Sequence, residues 1–440
     1  MPILLILSKT NNHFEGLAFS LPHHIIPTPT AMCATSASVQ IADQVLAPTK
    51  LRYSFFRSIE AAGTDWDAAA PAHDVFLQRK YLSVLEANPP HGMRFGYLVF
   101  YKGDDPIGVA LCQIKFFKGD DNIADLDVPT KDPCFFNGLA KWFKRWVAGK
   151  AAGDILICGN MLLTGEHGYY FDYQKIKPLA AVEILEKALD DVVETMGREG
   201  VKMPVILVKD IAPEHREQGR DLVKKGFVEF DIQPNMVLLL HFPDFDGYLA
   251  AMSTKYRTRA KRAFKKLDSG VEKRELTLVE IQRELPRIYA LYKEVAKNAG
   301  FNMVDLNEHY LLALKRELPE QFKMFAYYLD GRMEAFYTVI QNGDELEAHF
   351  LGYDKAHNHD RQLYLNILYD IVRFGIENGC RDIVFARTAL EIKSSVGAVA
   401  HNLYCYLRHQ NSLANRFTGT ILDYLKPVEE WVPRHPFKEE

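Results

Sequence analysis

Glu345, Glu347 and His349 stand at alternate positions in and beside the apolar run Leu346–Gly352. Successive side chains of an extended strand point to opposite faces, so these three share one side. A carboxylate or imidazole presented in this way suits general-base chemistry, taking a proton from an attacking amine. Glu347 and His349 are the candidates for that role. The same alternation also describes the polar side of a half-exposed strand. His349 with His357 and His359 raises a metal site, yet no acid or cysteine stands at a recognisable zinc spacing, so no metal is expected. The serines lie in no G-x-S-x-G or comparable nucleophile context, which leaves direct attack of one bound substrate on another.

A second chemical signal is the stretch Ser253–Leu267, STKYRTRAKRAFKKL. It holds Lys255, Arg257, Arg259, Lys261, Arg262, Lys265 and Lys266 and no acid, in a chain of formal net charge −4. At 3.6 residues per turn, Tyr256, Ala260, Ala263, Phe264 and Leu267 form an apolar face. Lys255, Arg262, Lys265 and Lys266 lie opposite, with Arg257 and Lys261 along one border. Basic side chains at such a border lay their stems on apolar neighbours and aim their heads into a cleft. The stretch reads either as a solvated junction helix or as an anion site for a phosphate-bearing substrate.

These groups must be positioned by a sizeable scaffold. A chain of 440 residues, 48% apolar and 25% charged, suits two soluble globular domains. Six scattered cysteines without a C-x-x-C pair fit reduced thiols and a cytoplasmic location. No apolar run is long enough for a membrane span, and Ile3–Leu7 is too short for a signal peptide. Residues 1–45 carry few charges and read as a flexible leader. In residues 46–242, Phe95–Tyr101 and Ile107–Phe117 form a hairpin, Asn137–Val147 a packing helix and Asp154–Leu163 a strand. The loop Thr164–Gly168, the helix Pro178–Arg198 and the strands Val205–Val208 and Met236–Leu240 follow. Residues 243–440 open with the basic helix and repeat the pattern. They offer a hairpin across Asp330-Gly331, the strand Leu346–Gly352, a polar loop Tyr353–Arg361, a helix Gln362–Glu377, and strands Asp382–Phe385 and Asn402–Arg408. Between the basic helix and that hairpin, Leu278–Glu317 is helical but broken at Pro286 and Gly300. Each half is thus a mixed sheet with flanking helices, an α/β (α+β) class.

That order resembles the GNAT acyltransferase fold, and a tandem pair split by a basic helix is similar to the FemAB-type transferases. The run Lys255-Tyr256-Arg257-Thr258-Arg259-Ala260-Lys261-Arg262-Ala263-Phe264-Lys265-Lys266 resembles the FemAB-type basic run. Gly379–Phe385, Arg387-Thr388, Glu391-Ile392-Lys393 and Gly397-Ala398 resemble the C-terminal block of predicted acetyltransferases in that group. The match spans about Ser253–Arg408. The first half matches only through strand order and the stretch CGNMLLTGEHG.

The resemblance implies two tandem GNAT-like domains and an N-acyltransferase that uses acyl-CoA, such as acetyl-CoA. The acceptor would be an amine of a phosphate-bearing or cell-envelope precursor. It implies a diphosphate cradle between a strand and the next helix: Gly165 and Gly168 in the first half, or Arg361 and Gln362 in the second. The second loop lacks the glycines of the usual R/Q-x-x-G-x-G/A pattern. Arg257 and Lys261 resemble basic contacts to substrate phosphate, and Lys393 occupies a position where a basic residue anchors a phosphate or carboxylate. Two alternatives remain open: a FemAB-type transfer from charged tRNA to a peptidoglycan precursor, and a GNAT-like ligand-binding protein without catalysis.

Overall fold

A computed structural model describes residues 51–117, 153–231, 233–267, 270–298, 304–424 and 431–438. The leader at 1–45, the helix expected at Asn137–Val147 and the break at Gly300 lie outside the described residues. In chain order the first half holds β1 (Leu51–Phe56), α1 (Ile59–Ala69), α2 (Arg79–Ala87), β2 (Met93–Lys102), β3 (Asp105–Phe117), β4 (Gly153–Cys158), β5 (Tyr169–Phe171), α3 (Pro178–Arg198), β6 (Val205–Ile211), α4 (Arg216–Lys224), β7 (Val228–Asp231) and β8 (Asn235–Leu239). Then come α5 (Phe245–Ala251), α6 (Thr254–Leu267), β9 (Val271–Glu275), α7 (Leu278–Asn298), α8 (Tyr310–Glu317), β10 (Phe322–Leu329), β11 (Arg332–Asn342) and β12 (Glu345–Tyr353). The chain closes with α9 (Lys355–Arg361), α10 (Leu363–Glu377), β13 (Asp382–Val384), α11 (Leu390–Ser394), β14 (Val399–His401), β15 (Tyr404–His409) and α12 (Ser412–Tyr424).

The strands form two mixed sheets, ordered β1-β2-β3-β4-β6-β15-β7, with β5 on β3, and β14-β8-β13-β12-β11-β10-β9. Both expected hairpins form. At the second, Asp330 and Gly331 have φ 50° and 78°, the pair of positive values that a two-residue hairpin turn needs. Strand membership departs from expectation. The Met236–Leu240 run is β8, which pairs with β13 in the second sheet, whereas Asn402–Arg408 is β15, inserted between β6 and β7 of the first. Alternating apolar residues announce a strand but do not name its neighbour.

Alternation along each sheet feeds three cores. One face of the first sheet packs Leu98, Cys112, Leu156 and Ile206 on α3, and one face of the second packs Leu346 and Ile383 on α6 and α10. The other faces meet in a shared core that joins Trp66, Tyr81 and Leu111 to Leu291, Tyr310 and Phe336. Two further expectations are corrected. α7 runs unbroken through Pro286, because burial of Ile281, Ile288 and Leu291 outweighs the lost helical hydrogen bond. Its start is fixed by a capping box in which the Thr277 N–H donates to Glu280 (2.9 Å) and the Glu280 N–H to Thr277 Oγ1 (3.3 Å). The polar loop Tyr353–Arg361 contains the short helix α9, capped by Asp354, which accepts from the Ala356 N–H. No helix among the described residues is long and apolar enough to cross a membrane.

Candidate active site

β12 and β13 run parallel, but only over Glu345↔Asp382, Leu346↔Ile383 and Glu347↔Val384. Beyond Glu347 the first continues to Tyr353, while the other turns aside at Ala386, whose φ is 58°. A wedge therefore opens at Glu347. On its far side β12 pairs Val339↔Ala348 and then Tyr337↔Leu351, so Thr338 faces two residues, His349 and Phe350. Thr338 Oγ1 accepts from the Phe350 N–H (2.9 Å) and donates to the Phe350 carbonyl (2.8 Å). Such a bulge bends the strand and re-aims its side chains beside the wedge.

Glu347 is 1% exposed, and its Oε2 has no hydrogen-bond partner. Burial pushes its carboxyl well above the usual range, and the neighbouring Glu345 charge pushes it further; Lys393 and Lys209 pull the other way. Lys393 is buried too. Its ammonium donates to the Phe385 and Ala386 carbonyls, and burial lowers it to about 7 against the attraction of Glu347. The raised acid and the lowered amine each act on the other's charge, an opposition of environments of the kind found at functional sites. Burial also lowers His349 to about 3, so its ring is neutral. Its Nε2 lies 2.9 Å from the Tyr310 hydroxyl, and its Nδ1 is buried without a partner.

Several groups around the wedge escaped the sequence reading. Asp74 and His167 Nδ1 are 2.9 Å apart. Burial opposes both charges, yet their mutual attraction lowers the acid and raises the histidine, which also senses Glu345. Asp210, at the end of β6, joins Lys209 to Arg387. Burial pushes its carboxyl up, but Arg387 and Lys209 outweigh this and hold it at about 2. His167 and Arg387 stand in the very segments quoted for the family resemblance. Arg387 pairs with Asp210 across the two halves and His167 with Asp74 far back in the first half, contacts that the chain order does not display.

Glu347 and Lys393 act on each other's charge, His349 stands two residues further along β12 against Tyr310, and the other expected site residues make contacts of their own. The Gly165 N–H donates to Asp210 Oδ2 (3.2 Å). The Gly168 carbonyl accepts from the Leu111 N–H (2.8 Å), and a Cβ at Gly168 would lie 2.7 Å from Gly159 Cα. Glu166 accepts from the Ala212 N–H and from His215. The loop expected to cradle phosphate is thus tied by the protein's own carboxylates. Arg361 and Gln362 mark the corner between α9 and α10, where Gln362 has φ 50°. Asn366 fastens that corner to the basic helix by donating to the carbonyls of Ala263, Arg361 and Gln362. On α6, Tyr256, Ala260, Ala263 and Leu267 are buried, Arg257 is half-buried and Lys261 exposed. None of the seven basic side chains of α6 takes part in the ion pairs found among the described residues. No group of three potential metal ligands occurs among the described residues.

A short parallel pair opening beside a buried acid, inside a mixed sheet flanked by helices, suits acyl transfer between two bound substrates. Residues 254–394 match the family model described as "Acetyltransferase (GNAT) domain". The match, which lies in the second half of the chain, puts the protein in the acyltransferase class. Among solved structures the chain is similar to FemX, at 12% identity over 83% of this chain and 100% of that one, TM-score 0.49. It is similar also to a tandem GNAT protein from the clavulanic acid biosynthesis pathway (9%, 82% and 99%, TM-score 0.46). A third likeness is to L-PGS from Bacillus licheniformis (14%, 78% and 96%, TM-score 0.43). Likenesses this distant fix neither substrate nor reaction. No curated protein matches the sequence.

Proposed function

We propose that the protein is an N-acyltransferase that carries an acyl group from acyl-CoA to an amine of a phosphate-bearing or cell-envelope precursor. The observation that carries this reading is the buried Glu347, whose Oε2 is unpartnered where β12 and β13 part, with Lys393 acting on its charge. The acceptor nitrogen attacks the thioester carbon, forming the N–C bond, and the C–S bond breaks on collapse of the adduct. The Glu347–Lys393 pair takes the proton the amine loses, and the departing thiolate is protonated in turn. Arg257 and Lys261 on α6, with Arg361 and Gln362 at the corner that Asn366 ties to α6, would receive the phosphates. The alternative donor, a charged tRNA, draws support from the seven cationic side chains of α6, none of which takes part in the ion pairs found among the described residues.

A thermal-shift panel of acyl-CoAs, UDP-muramyl peptides and charged-tRNA mimics tests both readings. Stabilisation by acyl-CoA supports the first, and response only to the tRNA mimic or the muramyl nucleotide favours the second. Silence across the panel rejects both. Arg257→Ala should weaken the phosphate-bearing ligand far more than Lys265→Ala, and equal effects would reduce α6 to a solvated connector.

A further inference from the structure

Five polar side chains form a line from the first sheet into the second. Gln113 Nε2 lies 3.4 Å from Asn160 Oδ1, and Asn160 Nδ2 is 3.2 Å from the Tyr81 hydroxyl. The Tyr81 and Tyr310 hydroxyls are 3.3 Å apart, and Tyr310 is 2.9 Å from His349 Nε2. Gln113, Asn160, Tyr81 and Tyr310 are all buried, so the hydrogens must be shared out along the line itself.

Two backbone donors set the direction. The Met161 N–H donates to Gln113 Oε1 (2.8 Å), which turns the Gln113 amide nitrogen toward Asn160. The Leu162 N–H donates to Asn160 Oδ1 (3.0 Å), which turns Asn160 Nδ2 toward Tyr81. The Tyr81 oxygen thus receives a hydrogen from Asn160, and its own hydrogen goes to the Tyr310 oxygen. The Tyr310 hydrogen is then directed at His349 Nε2. A ring nitrogen that accepts a hydrogen bond carries no hydrogen, so the neutral ring carries its proton on Nδ1.

That Nδ1–H is the orphan donor, and two residues earlier Glu347 Oε2 is an orphan acceptor. A buried donor without a partner is destabilising, and a ligand acceptor removes that cost. An acyl carbonyl beside an attacking amine supplies both complements, an acceptor for His349 and an N–H for Glu347. The charge that gathers on the carbonyl oxygen during attack strengthens the first contact.

We propose that the Gln113–Asn160–Tyr81–Tyr310 relay holds His349 as the Nδ1–H tautomer, and that His349 donates a hydrogen bond to the acyl carbonyl oxygen rather than serving as a base. The donor role rests on the acyl-transfer reading, whereas the tautomer does not. In protein labelled with 15N at histidine, long-range 1H–15N spectra read the ring directly, and His349→Asn identifies its signals. The wild type shows protonated Nδ1 and bare Nε2, unchanged between pH 5 and 8. Tyr310→Phe and Tyr81→Phe each admit the Nε2–H form.

In the transfer assay, His349→Asn, which keeps an N–H near the Nδ1 place, loses less of kcat than His349→Asp. His349→Asp lowers kcat about a hundredfold, the usual loss for a donor of this kind. Tyr310→Phe lowers kcat while leaving KM for the acyl donor nearly unchanged. An Nε2–H ring in the wild type overturns the proposal. So does an Nδ1–H ring that both phenylalanine variants leave unchanged. A His349→Asp kcat within twofold of the wild type overturns the donor role. Absence of acyl transfer rejects the reaction, and the spectra still decide the tautomer.

Discussion

Replacing Asp210 with asparagine should loosen the protein by about 3 kcal/mol. Asp210 is fully buried between Lys209, 3% exposed, and Arg387, 7% exposed. Its Oδ2 meets Lys209 and the Gly165 N–H, and its Oδ1 meets Arg387. It sits at φ 63°, a conformation that asparagine tolerates about as well as aspartate. The change therefore removes charge with little steric or backbone effect and leaves two buried cations facing each other. Breaking a buried pair by removing one partner typically costs about 3–5 kcal/mol. A carboxyl held at about 2 instead of 3.8 independently corresponds to about 2 kcal/mol at about 1.36 kcal/mol per pH unit. That contribution is fully present above the unfolded value and is lost as pH falls through the folded one. The wild-type and variant stabilities should then converge as pH approaches 2. Urea unfolding at pH 7 reads the loss, and adding Arg387→Met to Asp210→Asn should restore part of it by removing one cation. A loss under about 1 kcal/mol, or no recovery in the double variant, would refute the electrostatic account.

Other outcomes follow from the same geometry. Glu347→Gln should lower kcat by about two to three orders of magnitude without lowering the melting temperature, because the buried acid has an unpartnered oxygen; a steady-state assay and a melt check both. His349 is held at about 3 against 6.5, so the unfolded chain takes up a proton that the folded one refuses. Stability accordingly falls as pH drops from 6.5, and urea titrations of His349→Gln should show a shallower fall over that range. Gly352→Ala would set a Cβ 2.6 Å from the Leu291 and Tyr292 backbone. Pushing α7 off the sheet should cost about 1–3 kcal/mol in a denaturant titration.

Much of the fold was legible because its signals are local. The Asp330-Gly331 turn, the apolar face of α6 and the alternation of Glu345, Glu347 and His349 each declare themselves within a few residues. The partners of β8 and β15 could not be read, since by pattern either strand fits either sheet. Pro286 misled for a related reason, as the core beneath α7 outvotes a local breaker. Within the site, the acid on β12 was visible, but its coupling to Lys393 depends on the depth of burial. The direction of the His349 proton depends on Gln113, Asn160, Tyr81 and Tyr310, far apart in the chain and joined only by the folded state. Gly165 and Gly168 suggested a phosphate loop because glycine marks close backbone approach; the approaching groups are Asp210 and Gly159.

The exchange of β8 and β15 also dictates an order of events during synthesis. Until Tyr404–His409 leaves the ribosome, β6 and β7 have an empty slot between them, and β8 waits for β13 and β14. At 5–20 residues per second, the chain from Asp231 to Tyr404 takes roughly 10–35 s to appear. Throughout that interval the nascent protein displays open strand edges, the surfaces most prone to pair with a stranger. The last strand made is therefore the bolt of the first sheet built, and a chain stalled just short of it leaves that sheet unfinished.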